Sequence, residues 1–317
     1  MKTPLANALL GLVATLAACH AVPIARQPAP SALAALFGPV VGNEVIGGRA
    51  DDERNGVWLM VGGAALVHVD LDARRERRTA IKVGPGESCW GLARLQDGSL
   101  WTLKGRHAVI RIDPDGAVTR EIRLADAHLG LFGGGDRLVY QPAGFTPPGP
   151  ALRAGIPGEP VVSWSGITTR TFPALTHASG VALNMVACGG SAGAEQPCWF
   201  PDEAALSLVD ASGRTRRLEL AGLEVVAPEI LLTSDKPARP IRDAYVDAGG
   251  LVWVLSSGTP PRGAPELPGG WVLARYDSSG RLLDRVALAE PVRLILRAQP
   301  GRAQVLTGAG MVAEIVQ

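Results

Sequence analysis

Five ionisable side chains stand at the start of apolar segments, where polar groups from separate parts of the chain could act together. They are His128, His177, Arg242, Asp243 and Arg293. A histidine can serve as a general base because its pKa lies near neutral pH, and arginine together with aspartate can hold a polar ligand. We predict that these residues contact a bound molecule. The competing interpretation is a structural ion network, in which either arginine pairs with Asp243 or Glu44.

Two of the four cysteines, Cys188 and Cys198, lie ten positions apart in the sequence. On neighbouring strands of one hairpin, their Cα atoms would come within the roughly 4.4–6.8 Å that a disulfide needs. We therefore predict a disulfide, which an exported compartment permits. A zinc pair is the alternative, although no third ligand is near in sequence. Cys89 is left over and is expected to be a buried free thiol.

Catalytic motifs that carry their own mechanism are not found in a fitting context: no nucleophile elbow, HExxH, CxxC, phosphate-binding loop or dinucleotide fingerprint. Three segments of the form D-x-x-G, at 113–116, 210–213 and 277–280, lack the further ligands of a calcium loop. Asp at the first and Gly at the fourth position are typical of hairpin turns. We therefore predict no catalytic residue, no metal site and no cofactor.

The first nineteen residues, MKTPLANALLGLVATLAAC, form a separate segment. Lys2 precedes an apolar run that is too short to span a bilayer, which is typical of a signal peptide. The ending L-A-A-C resembles the lipobox of bacterial lipoproteins, and this resemblance implies lipidation of Cys19. Since His20 rather than Asp follows the cysteine, it also implies an outer-membrane lipoprotein facing the periplasm. A secreted protein with a coincidental cysteine is the alternative.

The charge balance excludes one class of partner. The chain has 31 Lys and Arg and 30 Asp and Glu, and removal of the leader with Lys2 leaves 30 of each. A chain without net positive charge is not expected to bind nucleic acid. We expect a monomer that reaches the membrane through its lipid anchor and has an unknown protein or a small polar ligand as partner.

A repeated sequence pattern predicts the strands that hold the five ionisable residues in place. Apolar strands joined by tight turns recur six times, with a large side chain at one place in the second strand. These side chains are Trp58, Trp101, Tyr140, Trp199, Trp253 and Val305, about 39 to 59 residues apart. Four short strands per repeat of this length are typical of a propeller blade. The sequence therefore predicts an all-β fold, a six-bladed β-propeller of four-stranded antiparallel blades.

Three regions follow from this pattern. Residues 1–19 are the lipoprotein signal peptide with its lipobox, residues 20–40 are a tether, and residues 41–317 form the propeller. The sixth repeat ends after its third strand, so a strand from before residue 42 is expected to close the ring and remove exposed sheet edges. Loops that enter the first strands share one face, which gathers the five ionisable residues at one mouth of the channel. Two long loops, at 141–160 and 257–270, are expected to flank that mouth.

Two segments carry a family resemblance. LQDGSLWTL at 95–103, followed by VIRIDPDG at 109–116, resembles the blade repeat of streptogramin lyases and NHL-type propellers. DAYVDAGGLVWV at 243–254 is similar to that repeat and to the one of the gluconolactonase (SMP-30) group. The lyase resemblance implies a histidine base with Mg²⁺, and the gluconolactonase resemblance implies a metal cage of Glu, Asn and Asp. Arg242 stands where that cage has Asn, so no catalytic residue is carried over.

These inferences predict an envelope-anchored β-propeller lipoprotein that acts as a binding or scaffolding module. The alternative is a lyase or lactonase-type enzyme with a metal-assisted site at the channel mouth, and a divalent metal is expected only in that case. Carboxylates and an Asn or His within metal-ligand reach at the mouth would favour the enzyme. A mouth filled by apolar side chains, or covered by the long loops, would favour the scaffold.

Overall fold

The computed structural model describes residues 33–38, 45–51, 53–134, 136–143, 149–155, 157, 162–163, 166–172, 177–223, 225–227, 239–257 and 270–316. The leader with Cys19 and the side chain of Glu44 lie outside the described residues, as do part of the loop 141–160 and nearly all of the loop 257–270. Within the described part, no helix is long and apolar enough to cross a membrane.

Strands make up almost all of the described structure. The chain begins with β1 (Ala34–Phe37), and blade one follows as β2 (Val45–Asp51), β3 (Gly56–Val61), β4 (Ala65–Asp70) and β5 (Arg75–Ala80). Blade two is β6 (Cys89–Arg94), β7 (Leu100–Lys104), β8 (Ala108–Ile112) and β9 (Val118–Arg123). Blade three is β10 (His128–Gly134), β11 (Arg137–Pro142), β12 (Arg153–Gly155) and β13 (Val162–Ser163), and the helix α1 (His177–Leu183) follows it.

The second half of the chain continues in the same manner. Blade four contains β14 (Ala187–Cys188), β16 (Glu195–Trp199), β17 (Ala205–Asp210) and β18 (Thr215–Glu219), with the short strand β15 (Gly190–Ser191) between its first two strands. Blade five is β19 (Arg239–Val246), β20 (Val252–Ser257), β21 (Trp271–Tyr276) and β22 (Leu282–Leu288). Blade six is β23 (Val292–Gln299), β24 (Arg302–Thr307) and β25 (Val312–Val316).

The six sheets form a closed ring. Within each blade the strands pair antiparallel in chain order, and the first strand of each blade lies innermost. β23 of the last blade contacts β2 of the first. β1 pairs antiparallel with β25, with Ala34 opposite Glu314, and so supplies the fourth strand of blade six. The predicted six-bladed β-propeller is confirmed, and the strand that closes it comes from before residue 42.

The large second-strand side chains form the contacts between blades. All six lie in second strands as predicted and are at most 7% exposed. Trp58 shares a core cluster with Leu92 and Ile110 of blade two, and Trp101 shares one with Tyr140 of blade three. They are therefore core residues rather than platforms on which a ligand could stack.

The turns use acidic residues to organise their backbone. Asp210 Oδ1 accepts hydrogen bonds from the backbone N of Ser212 and Arg214, at 2.9 and 3.0 Å, and Gly213 takes a φ of 85°. Asp247 Oδ2 accepts from the indole Nε1 of Trp253 at 3.1 Å, which satisfies a polar group in the core. The D-x-x-G segments are thus hairpin turns, as predicted.

Blade four departs from the repeated design. Between β14 and β16 the chain runs through residues 189–194, which we name the excursion, and its strand β15 pairs in parallel with β19 on the channel side of blade five. A Cβ on Gly189 would lie 1.7 Å from the carbonyl oxygen of Ala244, so this approach requires glycine. Sequence reasoning did not predict this crossing.

The predicted disulfide is confirmed at the base of the excursion. Cys188 and Cys198 are bonded and lie directly opposite each other on β14 and β16, with a Cα–Cα distance of 4.1 Å. Cys89 is a buried free thiol, and burial raises its pKa to about 11. The disulfide therefore fixes both ends of the segment that crosses to blade five.

Candidate functional site

A cavity of about 460 Å³ lies in the channel beside the excursion. All six blades contribute to its wall, including Arg49, Arg94, Gly133, Gln196, Tyr245 and Ile295. A volume of this size is typical of small-molecule pockets, which span about 300–1,000 Å³. Because β-strands hold most of the wall, the cavity is a preformed candidate binding site.

The cavity lies towards the end of the channel where the inner strands finish. Arg94 is the last residue of β6, and Tyr245 is the last but one of β19. The turn between the third and fourth strands of blade four also reaches it through Ala211. The predicted mouth is at the opposite end, where the inner strands begin.

Three of the four charged residues that line the cavity have ion-pair partners. The pairs are Arg94 with Glu53 at 3.3 Å, Glu195 with Arg216 at 2.6 Å and Asp210 with Arg214 at 2.9 Å. Arg216 binds both carboxylate oxygens of Glu195, which is the geometry of a strong pair. These groups are thus already neutralised by the protein itself.

Arg49 is the fourth charged residue of the lining. Its Nη1 donates to the carbonyl oxygen of Gly48 at 2.7 Å, and among the described residues it forms no ion pair. Burial lowers the pKa of its guanidinium, an effect that Asp243 and Tyr245 oppose through their charges. A half-buried cation without a direct counter-ion among the described residues is costly, so this part of the cavity favours an anion.

Asp243 connects blades five and six behind Arg49. Its Oδ2 accepts a hydrogen bond from the backbone N of Ile295 at 2.6 Å, and its Oδ1 accepts one from the backbone N of Ala244 at 2.9 Å. Burial raises the pKa of this carboxyl to about 7, although both hydrogen bonds and the charge of Arg49 act in the opposite direction. Near neutral pH, Asp243 therefore offsets only part of the charge of Arg49.

His128 is part of the core. It is the first residue of β10, is 2% exposed, and lies against Tyr140 with a distance of 5.3 Å between ring centroids. Burial is the main cause that lowers the pKa of its imidazole. The ring is thus neutral at pH 7 and enclosed by protein.

The remaining predicted residues lie at three separate places. Arg242 donates from Nε to Ser257 Oγ, and its guanidinium carbon lies 5.7 Å from the centroid of the Trp271 ring. Arg293 is half-buried as the second residue of β23, and His177 is the first residue of α1, with its side chain outside the description. Among the described residues that line the cavity, none of the five predicted contacts is found. Their role in binding stays a prediction.

The residues at the predicted mouth do not form a metal site within the described part of the chain. Within the described part, no group of three or more His, Cys, Asp or Glu side chains could hold a metal ion. Asp243 uses both of its oxygens for backbone amides, and Arg242 contributes a cation where a metal cage would need a neutral or acidic oxygen donor. The described donors do not fit the metal cage that the gluconolactonase resemblance implies.

Two further cavity residues were not found by sequence reasoning. Gln196 is 5% exposed, and its Nε2 donates to the carbonyl oxygens of Gly133 at 2.9 Å and Gly189 at 3.4 Å. Its Oε1 has no hydrogen-bond partner among the described residues. Arg49 had one sequence signal, a cation within the small-residue inner strand VIGGRAD.

The fold and the cavity define a class: a six-bladed β-propeller with a pocket in its central channel. No protein-family model matches the chain, and no curated protein matches it. Similar solved structures include regucalcin, a calcium-binding protein from Agrobacterium tumefaciens, with 13% identity, coverage of 90% of this chain and 94% of that chain, and a TM-score of 0.55.

Two other similar structures are enzymes by name. A gluconolactonase from Xanthomonas campestris has 14% identity, 90% and 89% coverage and a TM-score of 0.53. A catalytically inactive virginiamycin B lyase from Staphylococcus aureus, with quinupristin, has 13% identity, 88% and 83% coverage and a TM-score of 0.52. At such identities the likeness shows the fold alone, and it confirms the resemblance to lyase-like and gluconolactonase-like propellers at that level.

Proposed function

We propose that this protein is an envelope-anchored binding module that takes up a small polar ligand in its channel. The observation that carries the proposal is the cavity of about 460 Å³. Its charged lining residues are paired with other protein groups, with the exception of Arg49 among the described residues. A rigid wall with one charge left for a ligand suits binding and orientation.

The anchor is proposed from the leader. Its L-A-A-C ending supports lipidation of Cys19 and a position on the outer membrane, facing the periplasm. β1, the first described strand, is the outermost strand of blade six.

The alternative is a lyase or lactonase-type enzyme with a metal-assisted site at the mouth. The lyase and the gluconolactonase among the similar structures support it only through their shared fold. The two proposals differ in what happens to the ligand, because a binding module returns it unchanged. Product formation from the bound molecule would therefore favour the enzyme.

The decisive experiment uses a variant in which a large side chain obstructs the rim of the cavity. Ala211 lines the cavity from an exposed turn, so Ala211→Trp should obstruct it without disturbing the core. Ala221 is exposed in another turn, outside the lining, and Ala221→Trp is the matched control. Native mass spectrometry of the protein purified from its own envelope should show a bound small molecule in wild type and control, and its loss in Ala211→Trp. Equal retention by both variants would contradict the cavity as the binding site.

The anchor is tested separately. Cys19→Ala should release the protein from the membrane fraction to the soluble periplasmic fraction when cells are fractionated. If the variant stays as firmly bound as wild type, lipidation of Cys19 is wrong, whatever the cavity binds.

A further inference from the structure

We infer that the ligand of the channel cavity is a small organic monoanion whose carboxylate is bound by Arg49. The inference rests on the proposed function, because it names the chemical class of ligand for the same cavity.

The charge balance of the wall is the first argument. Arg94, Glu195 and Asp210 each have a partner of opposite charge at 2.6 to 3.3 Å. Arg49 has only its hydrogen bond to the neighbouring carbonyl oxygen of Gly48 among the described groups. A guanidinium presents several donors in a planar fork that matches a carboxylate. An anion in the cavity would supply the missing counter-ion.

Asp243 does not serve as the direct counter-ion of Arg49. Both of its oxygens accept backbone hydrogen bonds, from Ile295 and Ala244, and it forms no ion pair with Arg49 within the described part. Its partial charge still reaches Arg49 and would repel a second negative charge on the ligand. The site therefore favours a monoanion over a dianion such as phosphate.

The remaining wall specifies the carbon skeleton of the ligand. Leu95, Ile295 and Leu296 add apolar surface to the lining. A carboxylate with a small carbon skeleton fits this combination of one cation and apolar side chains.

The inference is tested with matched charged and neutral probes. Isothermal titration calorimetry of the full chain would compare lactate with lactamide, mandelate with mandelamide, and both acids with inorganic phosphate. We expect each carboxylate to bind roughly tenfold or more tightly than its amide, because a hydrogen bond to a charged group is worth at least this factor. At about pH 8, where inorganic phosphate is mainly a dianion, the carboxylates should also bind more tightly than phosphate, because the charge of Asp243 opposes a second negative charge. This comparison uses wild-type protein and does not depend on how a variant folds.

Variants then assign the contact. Arg49→Gln should weaken carboxylate binding by roughly tenfold or more, and Arg49→Lys, which keeps the charge but loses the fork, should lie between it and wild type. Arg302→Gln is the control, because Arg302 is 61% exposed, pairs with Glu314 and lies outside the cavity lining; this variant should bind as wild type does.

Three results would overturn the inference while leaving cavity binding intact. They are equal affinity for acid and amide, tighter binding of phosphate than of the carboxylates, and carboxylate binding that survives Arg49→Gln unchanged. The anion hypothesis would likewise be wrong if no carboxylate bound and the protein instead held a neutral molecule that is lost in Ala211→Trp. The protein would then still be a binding module. If Ala211→Trp retained the ligand as well as wild type does, the proposed binding function of the cavity would itself be wrong.

Discussion

Asp243 should make the stability of this protein fall as the pH rises towards neutral. Its pKa is about 7 in the folded protein, against an ordinary value of 3.8 that it regains on unfolding. Below pH 3.8 the carboxyl is protonated in both states and has no effect. Between 3.8 and 7 the unfolded chain releases the proton while the folded protein keeps it, so the free energy of unfolding decreases with rising pH.

The size of this change in the free energy of unfolding follows from the shift in the pKa of Asp243. Each pH unit inside this window costs about 1.4 kcal/mol, and the whole window costs about 4 kcal/mol. Asp243→Asn abolishes the titration but keeps an acceptor for only one of the two amides, Ile295 N and Ala244 N, which costs about 1 kcal/mol. The variant should be less stable than wild type at pH 5, and the difference should move by about 2 kcal/mol in its favour by pH 7, where the folded carboxyl is already half ionised.

Urea unfolding followed by tryptophan fluorescence at pH 5, 6, 7 and 8 measures this difference. Asp210→Asn is the control, because hydrogen bonds, first of all from Ser212, lower the pKa of Asp210 to about 2. Its titration is complete well below pH 5, so its profile should run parallel to that of wild type. A profile of Asp243→Asn that is also parallel to wild type from pH 5 to 7 would refute the reasoning, because Asp243 would then be ionised throughout.

Three further predictions concern the excursion and its surroundings. Replacing Cys188 and Cys198 together by Ser should lower the free energy of unfolding by about 3 kcal/mol, measured by urea unfolding, since the disulfide closes a short loop. Gly189→Ala should lower the melting temperature sharply, because its Cβ would collide with the backbone of β19. Arg170→Met should cost about 3 to 5 kcal/mol in the same assay, since it leaves the buried carboxylate of Asp202, bound at 2.7 and 3.0 Å, without its partner.

Each of these predictions has its own control. Native protein should show no alkylatable thiol at either position of the disulfide, and two reactive thiols there would contradict the bond. Gly180→Ala is the comparison for glycine, because a Cβ there meets nothing within 4 Å. Arg214→Met removes an exposed partner of Asp210 and should change stability by no more than about 0.5 kcal/mol. A similar cost for Arg170→Met would show that its ion pairs do not stabilise the fold.

The sequence predicts what depends on local patterns. Trp101 and Trp253 recur at one strand position, and each D-x-x-G turn follows from four neighbouring residues, so the blades could be counted without a structure. Cys188 and Cys198 could be paired because one hairpin contains both. In each case the residues that contact one another lie within one repeat, or at equivalent positions of two neighbouring repeats.

The candidate site depends on contacts that no local pattern contains. Whether Arg49 or its neighbours face the channel is decided by the register of β2, including the shift between Val45 and Gly47. His128 could be placed at the start of an inner strand, but its burial follows from packing beside Tyr140. The parallel pairing of Gly190 with Tyr245 joins two blades and has no counterpart in the repeat.

The excursion, which has no counterpart in the repeat, makes the channel asymmetric. A ring of identical blades would surround its axis with equivalent side chains, whereas the excursion adds a glycine-rich wall on one side of the channel only. Gly190 approaches the ring of Tyr245 so closely that a Cβ would lie 2.7 Å from it. Since the excursion is tied by a disulfide at its base and by β19 at its tip, it shapes the cavity as a fixed wall. Local rules of a fold are broken most often at functional sites. Here the broken repeat, the cavity and Arg49, which has no ion pair within the described part of the chain, coincide.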